Sequence, residues 1–151
     1  TKSANFFIPS SDPVTPLLTI PLSGTVSGII DPKPVIKANG ATGFINVSKG
    51  SMVTVAFELD PGSYQNKNGD WWVVLVTPIG RYYYNASTNN WSSGSAFYSQ
   101  GPLIKQGPVS VSSKPIMTAG QYKFLFGVDT KMNGVLDSKE FYFNAVMVNV
   151  K

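Results

Sequence analysis

Residues 129–140 combine residue types and a spacing that suit a divalent cation. They read D-x-x-x-N-G-x-x-D-x-x-E. A twelve-residue calcium loop draws its oxygen ligands from positions 1, 3, 5, 7, 9 and 12, and it carries glycine at position 6. The pattern therefore predicts a Ca²⁺ site whose oxygen donors are Asp129, Asn133, the carbonyl of Val135, Asp137 and Glu140.

The lysine at the third ligand position, Lys131, weakens this prediction. An ammonium group has no lone pair to donate, and its charge repels a cation, so we expect any calcium site to be weak. The alternative is a plain turn, because Asn133-Gly134 is a strong signal for a two-residue type I′ hairpin turn. In that register Met132 faces Val135 and the carboxylates need not converge. If calcium binds, we expect it to fix the final hairpin without any catalytic role.

The side chains that carry most enzyme chemistry are missing from this chain. It contains no His and no Cys, which excludes thiol chemistry and a Ser-His-Asp triad. A hydrolase with paired carboxylates is the weakest alternative, since Asp129, Asp137 and Glu140 are better used by a metal or by solvent. Phosphate-loop, dinucleotide and G-x-S-x-G motifs do not occur. We therefore expect a protein that is not an enzyme and has no cofactor other than calcium.

Aromatic side chains are the second group that could bind a ligand. Trp71 and Trp72 are adjacent in the sequence, so on a strand they point to opposite faces. We expect one in the core and the other outward. Outward aromatics could stack on sugar rings, and the residues predicted for such a glycan face are Trp72, Tyr83 and Trp91. The alternative is that the aromatics serve the core and a subunit interface.

Composition indicates one all-β domain. The chain has 151 residues, of which 13% are charged, with a net charge of +4 from scattered lysines. Nucleic-acid binding is not expected, because such surfaces cluster Lys and Arg. A calcium-type loop between predicted strands points to a secreted protein, so we expect an extracellular or cell-surface location. The first residue is Thr1 rather than Met, which suggests a processed N-terminus or a fragment. The uncharged residues 13–30 are too interrupted by proline and glycine to span a membrane.

Short runs of alternating apolar residues, separated by turn signals about every ten residues, predict strands. Residues 52–59 alternate cleanly, with Val53, Val55, Phe57 and Leu59 on one face. No stretch of ten residues shows a helical period. Residues 71–77 and 81–85 are predicted to form a hairpin, residues 88–94 a loop and residues 96–99 a weak strand. About eight strands at this spacing predict a Greek-key β-sandwich over residues 31–151. The side chains predicted to lie between its two sheets are Val55, Phe57, Tyr122, Phe124, Phe126 and Val148.

Residues 1–30 stand apart as an extended, apolar, proline-rich segment that we call the arm. Its apolar side chains are predicted to form an interface, and they are Phe6, Phe7, Ile8, Leu17, Leu18 and Ile20. One interpretation is an edge strand folded onto its own sandwich. The other is an arm that docks on a neighbouring subunit by adding a strand to an open sheet edge.

Three segments resemble immunoglobulin-like modules of bacterial secreted and cell-surface proteins. Residues 120–129, GQYKFLFGVD, followed by an Asn-Gly loop resemble the last hairpin of those modules. Asp70-Trp71-Trp72 is similar to their Trp-bearing strand, and TPIG followed by three tyrosines is similar to the next turn and strand. The resemblance covers roughly residues 50–150 and implies a non-catalytic spacer, adhesive domain or assembly subunit. The two-cysteine pattern of antibody domains is absent.

These observations lead to one functional expectation and one alternative. We expect an extracellular structural subunit that assembles, with itself or with another surface protein, through its arm and sheet edges into a filament, pilus-like fibre or sheath. The alternative is a secreted carbohydrate-binding or adhesion module that uses exposed Trp and Tyr.

Overall fold

The computed structural model describes residues 2–9, 11, 14, 17–24 and 28–151, without the side chains of residues 2, 17, 18 and 24. The described residues form strands, turns and one 3₁₀ turn at Gly62–Tyr64, with no α-helix among them. The strands, in chain order, are β1 Lys2–Pro9, β2 Leu17–Gly24, β3 Lys33–Ala38, β4 Gly43–Val47, β5 Met52–Asp60, β6 Asn68–Thr77, β7 Gly80–Asn85, β8 Asn90–Ser92, β9 Ser99–Pro102, β10 Gln106–Pro115, β11 Gly120–Asp129 and β12 Phe141–Val150. The all-β prediction is confirmed.

The strands form a small sheet, a large sheet and a separate hairpin. The small sheet has the order β10-β5-β3. The large sheet has the order β4-β12-β11-β6-β7-β8, and the short strand β9 pairs with β6. All pairs are antiparallel except β4 with β12, which run parallel. Within the described part of the chain, β1 and β2 pair only with each other.

The core lies between the small and large sheets, and alternation places its side chains. On β5, Val53, Val55, Phe57 and Leu59 are buried, in agreement with the period-two pattern of the sequence. Phe57 stacks on Phe126 of the large sheet, with ring centroids 4.0 Å apart. The side chains predicted to lie between the sheets all do so, namely Val55, Phe57, Tyr122, Phe124, Phe126 and Val148.

Strand number and some strand positions differ from the sequence prediction. Residues 31–151 contain ten strands rather than about eight. Residues 88–94, predicted as a loop, contain β8, and the weak strand predicted at residues 96–99 lies later, at Ser99–Pro102. Both strands are short, and each pairs with one end of a longer strand. Neither is long enough to show the alternation of apolar and polar residues that predicts a strand. The predicted hairpin of β6 and β7 is confirmed.

The arm is a two-stranded hairpin rather than an edge strand of the sandwich. Its register places Phe6 opposite Ile20 and Ala4 opposite Leu22. These four residues share one face of the ribbon, while Phe7 lies on the other face opposite Thr19. The described side chains of the hairpin are exposed, with Phe6 56% and Phe7 52% accessible. Leu17 and Leu18 belong to β2, but their side chains lie outside the described residues.

The hairpin is joined to the sandwich by a segment that is tied down at its last residues. The amide of Ile30 donates to Ser63 Oγ at 2.9 Å, and the amide of Ser63 donates to the carbonyl of Ile30 at 2.8 Å. Tyr142 Oη donates to the carboxylate of Asp31 at 3.1 Å. Gly62 has φ +55°, and a Cβ at this position would collide with the carbonyl oxygens of Ile30 and Asp31. The arm therefore leaves the sandwich from a fixed point.

Truncating Phe126 should show how much the contact between the two sheets contributes to the free energy of unfolding. Phe126→Ala is expected to lower the free energy of unfolding by about 3–5 kcal/mol, because it removes buried apolar area and leaves a cavity against Phe57. The matched control is Phe44→Ala on β4, where the ring is 53% exposed, with an expected loss below about 1 kcal/mol. Urea unfolding of both variants measures the difference. Equal losses would contradict this assignment of the core.

Candidate functional site

The segment that carries the cation pattern, residues 130–140, is a long loop between β11 and β12. The strands pair up to Asp129 opposite Phe141 and separate there. The predicted type I′ turn is wrong: it needs positive φ at both central residues, and only Gly134 has it, at +74°. The loop folds toward β9, since Gly134 lies beside Phe97 and Gln100. Side chains elsewhere, rather than a tight turn, hold it in place.

Two buried carboxylates lie beneath this loop. Asp129 ends β11, and its register partner on β6 is Asp70. Both are fully buried, and they are the only buried charged side chains in the described part of the chain. Burial of a carboxylate is costly unless hydrogen bonds compensate it, so the contacts of each determine what this site can do.

Asp70 connects three segments through its two oxygens. Oδ1 accepts a bond from Gln100 Nε2 on β9 at 2.8 Å. Oδ2 accepts bonds from the backbone amides of Asn133 at 3.1 Å and Gly134 at 2.6 Å. Asp70 therefore acts as a cap for the loop and links it to β6 and β9. Asp70 was not predicted as a site residue. The available signal was a lone carboxylate directly before the apolar run WWVVLV of β6.

Asp129 organises the other half of the loop in the same way. Its Oδ1 accepts a bond from the amide of Lys131 at 2.9 Å, and its Oδ2 accepts one from the amide of Asp137 at 2.5 Å. The carboxylate of Asp137 accepts a bond from Asn133 Nδ2 at 2.9 Å, and Asn133 Oδ1 accepts one from the amide of Val135 at 2.8 Å. Three of the predicted calcium ligands, Asp129, Asn133 and Asp137, are thus linked by hydrogen bonds, and backbone and side-chain donors engage their oxygens.

The lysine that weakened the calcium prediction lies between two of the predicted ligands. Lys131 Nζ is 3.5 Å from Glu140 Oε1 and 3.9 Å from Asp137 Oδ2. Glu140 also accepts a bond from Thr130 Oγ1 at 3.0 Å. Within the described residues, no three His, Cys, Asp or Glu side chains converge as a metal-binding group. Calcium binding by this loop stays a prediction. The backbone carbonyl of Val135 and the side-chain amide oxygen of Asn133 would have to coordinate the ion together with the carboxylates.

The aromatic residues predicted for a glycan face are arranged differently from the prediction. Trp72 is fully buried rather than outward, although it points away from the core as alternation requires. It is covered by Tyr83 at 6.3 Å and Phe97 at 6.5 Å between ring centroids. Its Nε1 has no hydrogen-bond partner among the described residues. Apolar residues on both faces of β6 were the signal that its outer face is also covered.

Trp91, the third residue of that set, belongs to the core side. Its ring packs against Tyr84 at 5.1 Å and Phe124 at 6.4 Å, and it is only partly buried. Of the three predicted residues, only Tyr83 is a partly exposed aromatic on the outer face. Trp71 is in the core, as one of the two adjacent tryptophans was expected to be. The three predicted residues therefore do not form one stacking surface.

A cavity of about 250 Å³ opens between β9 and β10. Phe57, Trp71 and Tyr98 form its floor, and Gln100 and Gln106 contribute amides. Among the lining residues the only ionisable side chain is Tyr98, and burial, followed by the nearby Tyr84, raises its phenol pKa above the ordinary value. A raised pKa means that the phenol of Tyr98 keeps its proton at neutral pH. This cavity can accommodate a small molecule, but its lining supplies no acid and base pair.

Comparison with known proteins assigns no relationship. No protein-family model matches the chain. A search of curated proteins found no significant match. None of the described residues forms a helix with the length and apolar character needed to cross a membrane. Function is therefore argued from the geometry of the chain itself.

Substituting Asp70 should release the loop. Asp70→Asn is expected to lower the free energy of unfolding by about 1.5–3 kcal/mol, because an amide NH₂ replaces an acceptor that now serves backbone donors. Hydrogen exchange at the Asn133 and Gly134 amides should accelerate. The control is Asp60→Asn, an exposed carboxylate that accepts one backbone bond, from Gly62. An equal stability loss in both variants, without faster exchange, would show that Asp70 does not hold the loop.

Calcium binding has a direct test in thermal unfolding. If the loop binds calcium, millimolar calcium should raise the midpoint relative to chelator, and about 2.7 kcal/mol is gained at a hundredfold excess over Kd. Lys131→Asp should enlarge that shift, since it removes an ammonium beside Asp137 and Glu140 and supplies an oxygen. Lys139→Asp makes the same charge change elsewhere in the loop and should not. Identical midpoints with calcium and chelator in every variant would rule out the site.

Proposed function

We propose that this chain is a non-enzymatic, extracellular structural subunit that assembles through its N-terminal hairpin, with itself or with another surface protein, into a filament or sheath. The observation that carries the proposal is the hairpin's exposed apolar face. Ala4, Phe6, Ile20 and Leu22 lie on one side of a ribbon that pairs with no other strand of the described chain.

An isolated two-stranded hairpin is at best marginally stable in water. It becomes stable when its apolar face packs against something, and burying one large apolar side chain contributes about 1.5–3 kcal/mol. Phe6, Ile20 and Leu22 are each more than a third exposed, so most of that stabilisation is still available to a partner. An adjacent cluster of exposed apolar side chains on a soluble chain typically marks an interaction site.

The immunoglobulin-like resemblance is supported by three details of the sandwich. The large sheet places β12, β11, β6, β7 and β8 side by side, which is the G-F-C-C′-C″ order of variable-type domains. Trp71 on β6 packs against Phe57 and Phe126, the region where antibody domains place Trp and a disulfide. Tyr122, near the start of β11, donates from its Oη to the carbonyl of Thr118 at 2.9 Å, as in a tyrosine corner.

A subunit role also fits the side chains that are absent. The chain has no His and no Cys, and the buried carboxylates Asp70 and Asp129 accept bonds from the loop instead of facing a cavity. The glycan-binding alternative is less well supported, since Trp72 is buried and Trp91 packs on the core. Joining a hairpin to a different surface of the next subunit is a head-to-tail contact, and such contacts generate open filaments when the rotation does not close.

Self-association should depend on the apolar face of the hairpin. Sedimentation velocity over a range of concentrations is expected to show concentration-dependent assembly that deletion of residues 1–30 abolishes. Phe6→Ala should weaken the association constant about tenfold or more, as the loss of a buried phenylalanine implies. Phe7→Ala is the matched control, because Phe7 is equally exposed but lies on the opposite face.

Equal effects of Phe6→Ala and Phe7→Ala would contradict docking through one face of the hairpin. Assembly that persists unchanged after deletion of residues 1–30 would contradict the proposed role of the arm. If the chain is a monomer at all concentrations, only assembly with another surface protein remains. A pull-down from a cell-surface extract tests this by comparing the full chain with the Phe6→Ala variant. No protein retained selectively by the full chain would reject that form too.

A further inference from the structure

The two layers of the sandwich differ in width. The small sheet has three strands, whereas the large sheet has six strands side by side. At one edge of the small sheet, β3 packs against β12 and β11 of the large sheet. The other edge strand is β10, which pairs only with β5 among the described residues. The inner face of the large sheet around β7 and β8 therefore extends beyond the last strand of the small sheet.

This overhang exposes side chains that belong to the core. A groove of about 160 Å³ runs beside β10, and its walls are mainly apolar, from Val53, Leu75, Trp91, Tyr122 and Phe124. A second groove of about 260 Å³ continues along the same edge between β10 and Tyr84. Trp91 and Leu75 are only partly buried there. The small sheet thus lacks a fourth strand at the free edge of β10, where immunoglobulin-like sandwiches of the constant type have one.

The edge of β10 can accept a strand over part of its length. The strand has ten residues, but Pro108 and Pro115 have no backbone N–H, and bulges interrupt its pairing with β5 before Val109 and before Ser112. Such features limit pairing at a sheet edge, so we expect backbone pairing over the regular run at residues 112–114, which lies beside the apolar groove. The stem of Lys114 can lie along the apolar surface while its ammonium stays in water.

The hairpin can supply both the strand and the apolar side chains that are missing at the edge of β10. It supplies extended backbone for pairing and an apolar face, formed by Ala4, Phe6, Ile20 and Leu22, for the groove. The described side chains of that face are uncharged, which matches a groove with apolar walls. Addition of a strand to an open edge combines both contacts, with backbone bonds providing affinity and alternate side chains filling pockets.

We propose that the hairpin of one copy pairs with the free edge of β10 in a second copy and lays its apolar face in the groove lined by Leu75, Trp91 and Phe124. This inference rests on the proposed function and names the acceptor surface for the arm. The donor comes from a second copy, since the hairpin is not paired with β10 of its own chain. Each copy has one hairpin and one β10 edge, so the contact repeats from copy to copy.

The natural absence of cysteine makes crosslinking a clean test. Two single-cysteine proteins are mixed and treated with a short bis-maleimide, which tolerates small differences in register. The donor is Ile20→Cys, on the apolar face of β2. The acceptor is Ser112→Cys, a residue of β10 that lines both grooves. Mixing separate chains restricts crosslinks between these positions to pairs of copies.

The control acceptor is Phe143→Cys, which is 55% exposed on the opposite face of the large sheet. We expect the donor–acceptor heterodimer to form at least about tenfold more with Ser112→Cys than with Phe143→Cys, and Phe6→Ala in the donor chain should reduce it about tenfold. Both acceptor variants are first shown to retain the unfolding midpoint of the natural sequence.

Three outcomes would overturn the acceptor assignment. Preferential crosslinking to Phe143→Cys would place the hairpin on the outer face. No crosslink to either position, while Phe6→Ala still weakens assembly, would mean that the hairpin docks elsewhere, and the proposed function would survive. A crosslink that forms within single molecules of a dilute Ile20→Cys, Ser112→Cys double variant would make the contact intramolecular. If Phe6→Ala leaves assembly unchanged, the proposed function fails as well.

Discussion

Burial of one face of each sheet is the constraint on which this structure depends. The buried face of β5 packs against the large sheet through Val53, Val55, Phe57 and Leu59. The stack of Phe57 on Phe126 fixes where the two sheets meet. A sheet that buries a face against a narrower sheet must leave part of that face uncovered. The overhang beside β10 follows from this difference in width, since three strands cannot cover a sheet of six.

The loop at residues 130–140 shows how two buried carboxylates can organise a long segment. Asp70 and Asp129 are buried side by side, and each takes its compensation from backbone amides of the loop. Hydrogen bonds to ionised groups are stronger than neutral ones, so a long loop is held by few contacts. Residues that suggest a cation site thus also have a structural role, which is to hold the loop through hydrogen bonds.

The sequence was a good guide wherever one face of a strand is buried. The alternation of apolar and polar residues along β5 and β11 located the core. Successive side chains point to opposite faces of a strand, so apolar residues recur at every second position when only one face is buried. It failed at β8 and β9, which are three and four residues long. Trp72 was misplaced because alternation gives the face of a residue but not what covers it, and here Phe97 and Tyr83 come from other segments. The turn at Asn133-Gly134 failed for a similar reason, since Asp70, distant in sequence, holds the loop open.

The fixed departure point of the arm has a mechanical consequence. Ile30 and Asp31 anchor the arm beside Tyr142, at the start of β12, and the chain then passes through β3 into β4, which runs parallel to β12. A pull on the arm that is resisted at Val150 would draw β4 and β12 in opposite directions along their common axis. Their five register pairs would be loaded in shear, together rather than one after another. A chain loaded in this way would resist tension far better than one whose paired strands open from one end.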